Sequence, residues 1–577
     1  MDRADPAGLR RAPRRARVGR HDPPLPARLT DDLVVVEVER RGKLVVGEPY
    51  FSAGTPLMLD RKGLGDASPG DLVVARRTRG RARVERTLGA SDRIENVLEG
   101  LLVETGARQD FEPYTPPDIT LDGRADLREL PTFTIDPETA EDYDDALSID
   151  DERAYVHIAD VSYFIAAGEP LDRGAARRGF STYVPGRVAP MLPHELADDL
   201  CSLRPHADRL VVTVELPHDG AEASFYRSVI RSDARLSYGQ AQRILAGAEE
   251  FAHLETLRRL DKRARELRHA RFARGALRIR TPEVVFDFDG RGGVADARRQ
   301  GEPEAHALVE EFMIRANEVV AELLASRNRA ALYRVHERPE PQSVVLLLGK
   351  LAELEIPTPP APEELSPSQA AAIAAAAAER IETYVAQSGR GRDAFPALIL
   401  RSLKRARYDP RNLGHAGLAS RAYCHFTSPI RRYPDLVCHR ALLAEIGAAD
   451  ADPPEDLADL AEHVSERERE AAQIEYQSDE ICLAWLLDSR LYEQGWETTF
   501  EGEIVGVIGA GLFVRFDDVF EGFLPARRLP GDYFEASTLG TALTGRRGGG
   551  TLRLGDPIEV RVERIERHSG KVELAPG

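Results

Sequence analysis

The chain has 577 residues, of which 42% are hydrophobic and 30% are charged, an ordinary globular mixture for about four domains. This composition excludes wholesale disorder, and no apolar run approaches the ~18 residues that a membrane span requires. The net charge of −18 argues against a surface coated with nucleic acid, although a basic channel can lie in an acidic protein. Four cysteines without a C-x-x-C pair exclude a disulfide scaffold, so we expect reduced thiols and a cytoplasmic protein.

The N-terminal part divides into two segments. Residues 1–28 are rich in Arg, Pro and Ala without apolar periodicity, which predicts a disordered basic arm. Residues 29–92 contain short apolar runs separated by Gly and Pro turns, which predict a small OB-like β-barrel. An arginine run over residues 76–86 is interpreted either as a solvated strand face or as a nucleic-acid contact.

The remainder predicts an α+β domain followed by a second barrel. Residues 93–492 mix short strands with long helical segments, without the regular alternation of a doubly wound sheet. Within them, the alanine-rich segment Ala370–Ala378 predicts a surface helix without chemistry. Residues 496–577 contain five short strand patterns, which predict a five-stranded OB-type barrel with a mobile loop at Gly545–Gly550.

Four aspartates lie within ten residues, at Asp136, Asp142, Asp144 and Asp145. Carboxylates this close repel one another unless a cation lies between them, and hard oxygen ligands suit Mg²⁺ or Mn²⁺. An EF-hand is excluded because a leucine stands where its loop needs glycine. An acidic surface loop is the alternative, but the segment lies between apolar strand patterns, which favours a metal site.

A second polar segment runs from Tyr423 to Arg440. Its adjacent Arg431 and Arg432 follow a turn-forming Thr-Ser-Pro and suit phosphate oxygens, because a guanidinium donates two hydrogen bonds at once. A salt-bridged helix start is the ordinary alternative. Zinc binding by Cys424-His425 and Cys438-His439 is disfavoured, because adjacent ligands point apart on a strand or a helix.

These two segments belong to a longer series of motifs. The series includes T-I-D at residues 134–136, D-Y-D-D-A-L at 142–147, H-I-A-D-V-S at 157–162, Y-V-P at 183–185, P-M-L-P at 190–193, E-E-F-M at 310–313, Y-R-V-H-E at 333–337 and H-F-T-S-P-I-R-R-Y at 425–433. This series resembles the ribonuclease II / ribonuclease R (RNB) family of 3′→5′ exoribonucleases. The motifs are long, ordered and spread over nearly the whole chain.

The resemblance implies processive hydrolysis of single-stranded RNA from a free 3′ end to nucleoside 5′-monophosphates, with Mg²⁺. It implies a cold-shock-type OB domain, a central RNB domain and a C-terminal S1-type OB domain. Carried over by position, Asp136 and Asp145 would hold the metal with Asp142 beside them. Asp144 would be the essential carboxylate of the chemical step, and Arg431 would stabilise the transition state.

Three further residues receive roles through the resemblance. Tyr183 would stack on the base nearest the 3′ end, Glu475 would oppose product retention, and Phe513 is our choice for RNA stacking in the C-terminal barrel. Because the carboxylates lie about 40 residues earlier, we expect that removal of the Tyr183 side chain does not impair the metal site. Tyr183→Phe should behave nearly as wild type, since the stack needs the ring and not the hydroxyl. A core position beside the proline-containing turn is the alternative for this tyrosine.

The family's Asp-Val-Ser-His reads Asp-Val-Ser-Tyr163 here, and its His-Phe-Gly-Leu reads His415-Ala416-Gly417-Leu418; neither change touches a catalytic position. In the N-terminal barrel, Tyr50 and Phe51 are the only clustered aromatics, which predicts weak base stacking there. We expect a monomer. The alternatives are an RNA-binding regulator on a catalytically silent RNB scaffold and a nuclease acting on DNA.

Overall fold

The computed structural model describes residues 33–577 except 53, 61–62, 79–80, 108–109, 279–281, 302, 450–453, 455 and 549. The predicted basic arm of residues 1–28 lies outside the described residues.

The N-terminal domain is a closed five-stranded barrel in the order β1-β2-β3-β5-β4. Its strands are β1 Leu33–Arg41, β2 Leu44–Pro49, β3 Leu57–Leu59, β4 Asp71–Thr78 and β5 Arg81–Ala90. Alternate valines of β1 fill the interior, whereas the arginines of β4 and β5 lie on the exposed face. Phe51 is buried in the core and Tyr50 packs edge-on against His568 of the C-terminal barrel, so both aromatics serve packing.

The central domain is built on a mixed seven-stranded sheet in the order β14-β7-β8-β9-β12-β13-β6. Its strands are β6 Ala125–Asp126, β7 Phe133–Asp136, β8 Asp145–Ile149, β9 Arg153–Ala159, β12 Asp208–Pro217, β13 Ser224–Arg231 and β14 Ala234–Ser237. Two hairpins project from it, β10 Thr182–Val184 with β11 Arg187–Ala189, and β15 Glu283–Phe288 with β16 Val294–Gln300. A further pair joins β17 Tyr333–Val335 to β18 Arg407–Asp409.

Eleven α-helices are found in the described residues: α1 Ile94–Glu104, α2 Val161–Phe164, α3 Pro170–Arg178, α4 Tyr238–Leu245, α5 Leu254–Ala273, α6 Glu304–Ser326, α7 Pro341–Glu353, α8 Pro367–Ser388, α9 Ala394–Ser402, α10 Tyr433–Glu445 and α11 Leu457–Gln494. The two faces of the sheet are covered by different helices. Val212 and Val214 face the core under α5, α6 and α10, whereas Val211 faces the core with α2 and α3.

The alanine-rich segment forms part of α8. A capping box between Ser366 and Gln369 begins the helix, and Gly389 ends it with a left-handed φ of 70°. The prediction of a surface helix was wrong for one face. Ala370 and Ala374 are fully buried against Val344 of α7, because small side chains let two helices approach closely.

The C-terminal domain is a second closed barrel in the order β19-β20-β21-β26-β25. Its strands are β19 Thr499–Ile508, β20 Gly511–Phe516, β21 Phe520–Pro525, β25 Pro557–Glu566 and β26 Lys571–Pro576. Between β21 and β25 the chain adds a three-stranded sheet of β22 Phe534–Ala536, β23 Ala542–Gly545 and β24 Thr551–Arg553, which the sequence analysis did not predict. The segment that we expected to be a mobile loop connects β23 to β24.

Two barrels flanking a central α+β domain confirm the predicted fold class. One hydrophobic core joins both barrels through α1, α7, α8, α9 and α11. Over the described part of the chain, no helix combines the length and apolarity needed to cross a membrane.

Candidate active site

The carboxylate segment connects β7 and β8, two neighbouring inner strands of the central sheet. Asp136 is the last residue of β7, and Asp145 is the first residue of β8. These strands are antiparallel, with Phe133 opposite Leu147. The loop that connects them therefore places all four aspartates at the same end of the two strands.

Asp144 is buried, with 2% of its surface exposed, and both of its oxygens accept hydrogen bonds from the second polar segment. The Ile430 amide donates to Oδ1 at 2.9 Å, and Arg431 Nε donates to Oδ2 at 3.1 Å. Burial raises the pKa of Asp144 well above its ordinary value, and the Arg431 charge opposes that shift. The contact joins residues 286 and 287 positions apart in the sequence.

Asp136 and Asp145 form a pair of carboxylates whose oxygens are less fully hydrogen-bonded than those of Asp144. Burial raises the pKa of both carboxyls, and the charge of Asp145 raises that of Asp136 further. Asp136 Oδ2 is buried without a hydrogen-bond partner among the described residues. An orphaned buried carboxylate oxygen beside a second carboxylate is a costly arrangement that a divalent cation would relieve.

These two carboxylates fit Mg²⁺, which is commonly held by one or two protein carboxylates with water and substrate phosphate as its other ligands. In the described residues, no group of three or more His, Cys, Asp or Glu side chains is arranged as a metal site. Asp142 Oδ2 accepts a hydrogen bond from the Tyr183 hydroxyl at 2.6 Å, and the charge of Asp142 contributes to the raised pKa of the neighbouring Asp144. Asp136 and Asp145 would hold the ion, with Asp142 beside them.

Arg431 is anchored at one end and open at the other. Its Nε is bound to Asp144, and its Nη2 donates to Ser428 Oγ at 3.3 Å, yet 45% of the side chain is exposed. Arg432 differs, because its Nη2 donates to the buried Asp435 at 2.7 Å and only 25% of its side chain is exposed. The structure thus leaves Arg431 more accessible than Arg432 to a phosphate.

Tyr183 lies on β10 with 38% of its surface exposed, so it is not a core residue. Its hydroxyl donates to Asp142, and its amide donates to Glu475 Oε1 on α11 at 2.8 Å. The hydroxyl therefore links this tyrosine to one of the carboxylates, a contact that the sequence did not predict. The sheet and α11 bring together three segments that are far apart in the sequence.

Two residues of this region were missed by the sequence analysis. Phe288 at the end of β15 is 36% exposed, and its ring lies so close to Gly186 that a Cβ there would stand 3.3 Å away. Asp479 lies one helical turn after Glu475, and burial together with the charges of Glu475 and Glu283 raises its pKa to about 7. Because residues four apart on a helix are neighbours on the same face, the spacing of Glu475 and Asp479 could have predicted this pair of acids.

The C-terminal barrel presents one aromatic pair away from its core. Phe513 on β20 lies opposite Phe523 on β21, with ring centroids 5.1 Å apart and both side chains partly exposed. Phe500 instead packs at 5.3 Å from the buried Phe516. Phe513 therefore lies where a base could reach it.

The zinc alternative has no support in the described residues. The thiols of Cys424 and Cys438 contact each other at 3.3 Å, but the neighbouring imidazoles are bound elsewhere. His425 Nδ1 lies 2.7 Å from the Tyr408 hydroxyl, and His439 Nε2 lies 2.8 Å from the Phe426 carbonyl oxygen.

Comparison with known proteins agrees with the sequence motifs. Residues 124–447 match the RNB domain, and residues 494–575 match the S1 RNA binding domain. Ribonuclease R of Escherichia coli (strain K12) is 35% identical over 548 residues, which cover 87% of this chain and 64% of that protein. The chain thus spans somewhat less than two thirds of the length of this relative.

Two solved structures share the fold. Mycoplasma genitalium RNase R in complex with ribose methylated single-stranded RNA superimposes with a TM-score of 0.84 at 24% identity, over 95% of this chain and 90% of that one. Yeast Ssd1, a pseudonuclease, has a TM-score of 0.65 at 18% identity, over 90% of this chain and 68% of that one. The fold by itself therefore does not decide between a nuclease and a silent scaffold. From the match of more than half of its residues to the RNB domain, and from its relation to ribonuclease R, the chain belongs to the ribonuclease II / ribonuclease R (RNB) family.

Proposed function

We propose that this protein is a 3′→5′ exoribonuclease that hydrolyses single-stranded RNA to nucleoside 5′-monophosphates. The observation that carries the proposal is the assembly of Asp136, Asp144, Asp145 and Arg431 in one site, with the Arg431 side chain partly exposed and Asp136 Oδ2 without a hydrogen-bond partner among the described residues. A silent scaffold has no need to bury three carboxylates beside one another, because their desolvation and mutual repulsion cost stability.

Each residue has a role in this proposal. Arg431 neutralises charge that develops on the non-bridging phosphate oxygens. Asp144 is the essential carboxylate of the chemical step and also accepts a hydrogen bond from Arg431 Nε, which holds the guanidinium in place. Asp136 and Asp145 would hold Mg²⁺, which would supply Lewis-acid stabilisation and lower the pKa of a water molecule. The exposed ring of Tyr183 stacks on the 3′-terminal base, and Glu475 fixes the strand that carries this ring.

The partner that we propose is single-stranded RNA with a free 3′ end. The match to an S1 RNA binding domain and the partly exposed Phe513–Phe523 pair support this choice. We further propose that the protein acts as a cytoplasmic monomer, with residues 29–92, 93–492 and 496–577 as its three folded domains.

The test is degradation of a 5′-labelled oligoribonucleotide and of the matching deoxyoligonucleotide by the full chain. We expect a descending ladder from the 3′ end and nucleoside 5′-monophosphates with RNA only, loss of activity with EDTA, and recovery with Mg²⁺ or Mn²⁺. Asp144→Asn serves as the inactive control. RNA binding without any hydrolysis would refute the proposal in favour of the RNA-binding regulator, and equal hydrolysis of the deoxy substrate would refute the RNA specificity.

A further inference from the structure

A cavity of about 900 Å³ lies between α5, α8 and α9, and none of its lining residues belongs to the carboxylate site. One wall is the arginine-rich end of α5 and the segment that follows it. The opposite wall is apolar and includes Ile381 and Val385 of α8 and Ile399 of α9. A site that pairs cations with an apolar wall suits a ligand with both phosphates and flat apolar surfaces.

The lining of the cavity contains more basic than acidic side chains, in a chain whose net charge is −18. Its arginines are Arg265, Arg268, Arg271 and Arg278, and the lining contains only two glutamates, Glu310 and Glu382. A local excess of this kind concentrates anions even on an acidic protein.

The arginines differ in how far their charges are already neutralised. Arg271 is buried and bound to Glu311 at 2.6 Å, and Arg265 is bound to Asp261 at 2.9 Å. Arg268 and Arg278, in contrast, have no carboxylate within ion-pair distance among the residues that the structure describes. These two guanidiniums are therefore available to a ligand.

Phe272 holds the available cations without neutralising them. The guanidinium carbon of Arg278 lies 4.5 Å from the centroid of this ring, and that of Arg268 lies 5.7 Å away. Attraction to the face of an aromatic ring orients a cation but leaves its net charge unchanged. Together with Arg271, whose guanidinium carbon lies 4.7 Å from the same centroid, three positive groups surround this ring in the cavity lining.

We propose that this cavity is an accessory RNA site, in which Arg268 and Arg278 bind phosphates of a segment of the substrate strand outside the catalytic centre. The inference rests on the proposed function, because it takes RNA as the ligand. Residues 265, 268, 271 and 272 recur at helical spacing along one face of α5, which suits successive phosphates of a strand. Leu277 of the cavity lining is six residues from Glu283, and a chain of that length spans at most ~20 Å. The charge of Glu283 raises the pKa of Asp479 beside the carboxylate site. The cavity therefore lies within ~20 Å of a residue that acts on the surroundings of that site.

The experiment compares Arg268→Ala/Arg278→Ala with Arg258→Ala/Lys262→Ala. The control pair lies on the same helix α5, is exposed, removes the same charge and does not line the cavity. Both are made in the full chain with Asp144→Asn, so that RNA is bound and not consumed. Affinity for poly(A) and for a ribotetranucleotide is measured over a range of salt concentrations.

We expect the cavity variant to bind poly(A) about 25-fold more weakly at 0.1 M salt than the control, since each lost phosphate contact removes ~0.7 from the salt slope of a single strand. The slope itself should fall by ~1.4, and the tetranucleotide should lose far less affinity. Equal affinity of the two variants for poly(A) would overturn the proposal and assign the cavity to another anion, such as an acidic protein segment. A matching loss for both RNA lengths would also overturn it, because the arginines would then act at the catalytic centre.

A titration with AMP distinguishes binding of an RNA strand in the cavity from binding of a released mononucleotide. Binding of AMP that is lost in the cavity variant, with poly(A) affinity unchanged, would refute the strand assignment. Failure of the proposed function is seen separately, because the protein with Asp144 intact would then leave labelled RNA uncut whatever the state of the cavity.

Discussion

The hydroxyl of Tyr183 offers the sharpest test of the site, because the structure changes what the sequence predicts for it. It donates to Asp142 at 2.6 Å, and burial together with the Asp142 charge raises the pKa of this tyrosine, which keeps the hydroxyl protonated as a donor. A hydrogen bond to a charged group contributes about 1.5–3 kcal/mol. Since 38% of Tyr183 is exposed, water partly replaces the lost bond, and we take the lower end of that range.

Tyr183→Phe should therefore lower kcat about tenfold, because the hydrogen bond that positions Asp142, worth ~1.5 kcal/mol, is lost. The ring remains, so the final product length should stay unchanged. Tyr183→Ala removes the stack as well, which is worth about 1–3 kcal/mol per base, so this variant should stop early and release longer end products. The assay is single-turnover cleavage of a labelled oligoribonucleotide with gel analysis of the products, accompanied by a melting curve.

Tyr492→Phe is the matched control, since this tyrosine lies on α11 with 89% of its surface exposed. Wild-type turnover in Tyr183→Phe would show that the bond to Asp142 has no part in the chemistry. An unchanged product length in a stably folded Tyr183→Ala would refute the stacking role.

Three other predictions concern single residues. Asp144→Asn should abolish turnover while RNA affinity stays near wild type in a filter-binding assay; residual activity within about tenfold of wild type would remove Asp144 from the chemical step. Arg431→Lys should lower kcat with little change in binding, because lysine keeps the charge but loses the planar fork that Asp144 and Ser428 hold; a loss explained wholly by weaker binding would make Arg431 a positioning residue. The folded-state pKa of Asp479 is about 7, above the unfolded value of 3.8, so its carboxyl destabilises the fold increasingly as the pH rises from about 4 to about 7. Asp479→Asn should accordingly raise the melting temperature at pH 8 more than at pH 5. An equal change at both pH values would contradict the claim that ionisation of the buried carboxyl destabilises the fold.

Much of the fold and the composition of the site can be predicted from the sequence. Strands with alternating apolar residues, separated by glycine and proline turns, define the two barrels, because that pattern can bury only one face of each strand. The carboxylates and the adjacent arginines are recognisable because each segment is short, polar and confined between apolar runs. The resemblance to the RNB family rests on the same segments.

The contacts within the site were decided by the tertiary structure alone. The sequence gives no sign that Ile430 and Arg431 meet Asp144, that the Tyr183 hydroxyl reaches Asp142, or that Glu475 accepts from the Tyr183 amide. These contacts depend on the order of strands in the central sheet and on the packing of α11 against β10, which are set by contacts between distant parts of the chain. The cavity beside Phe272 arises in the same way, because its two walls come from helices more than a hundred residues apart that no local pattern brings together.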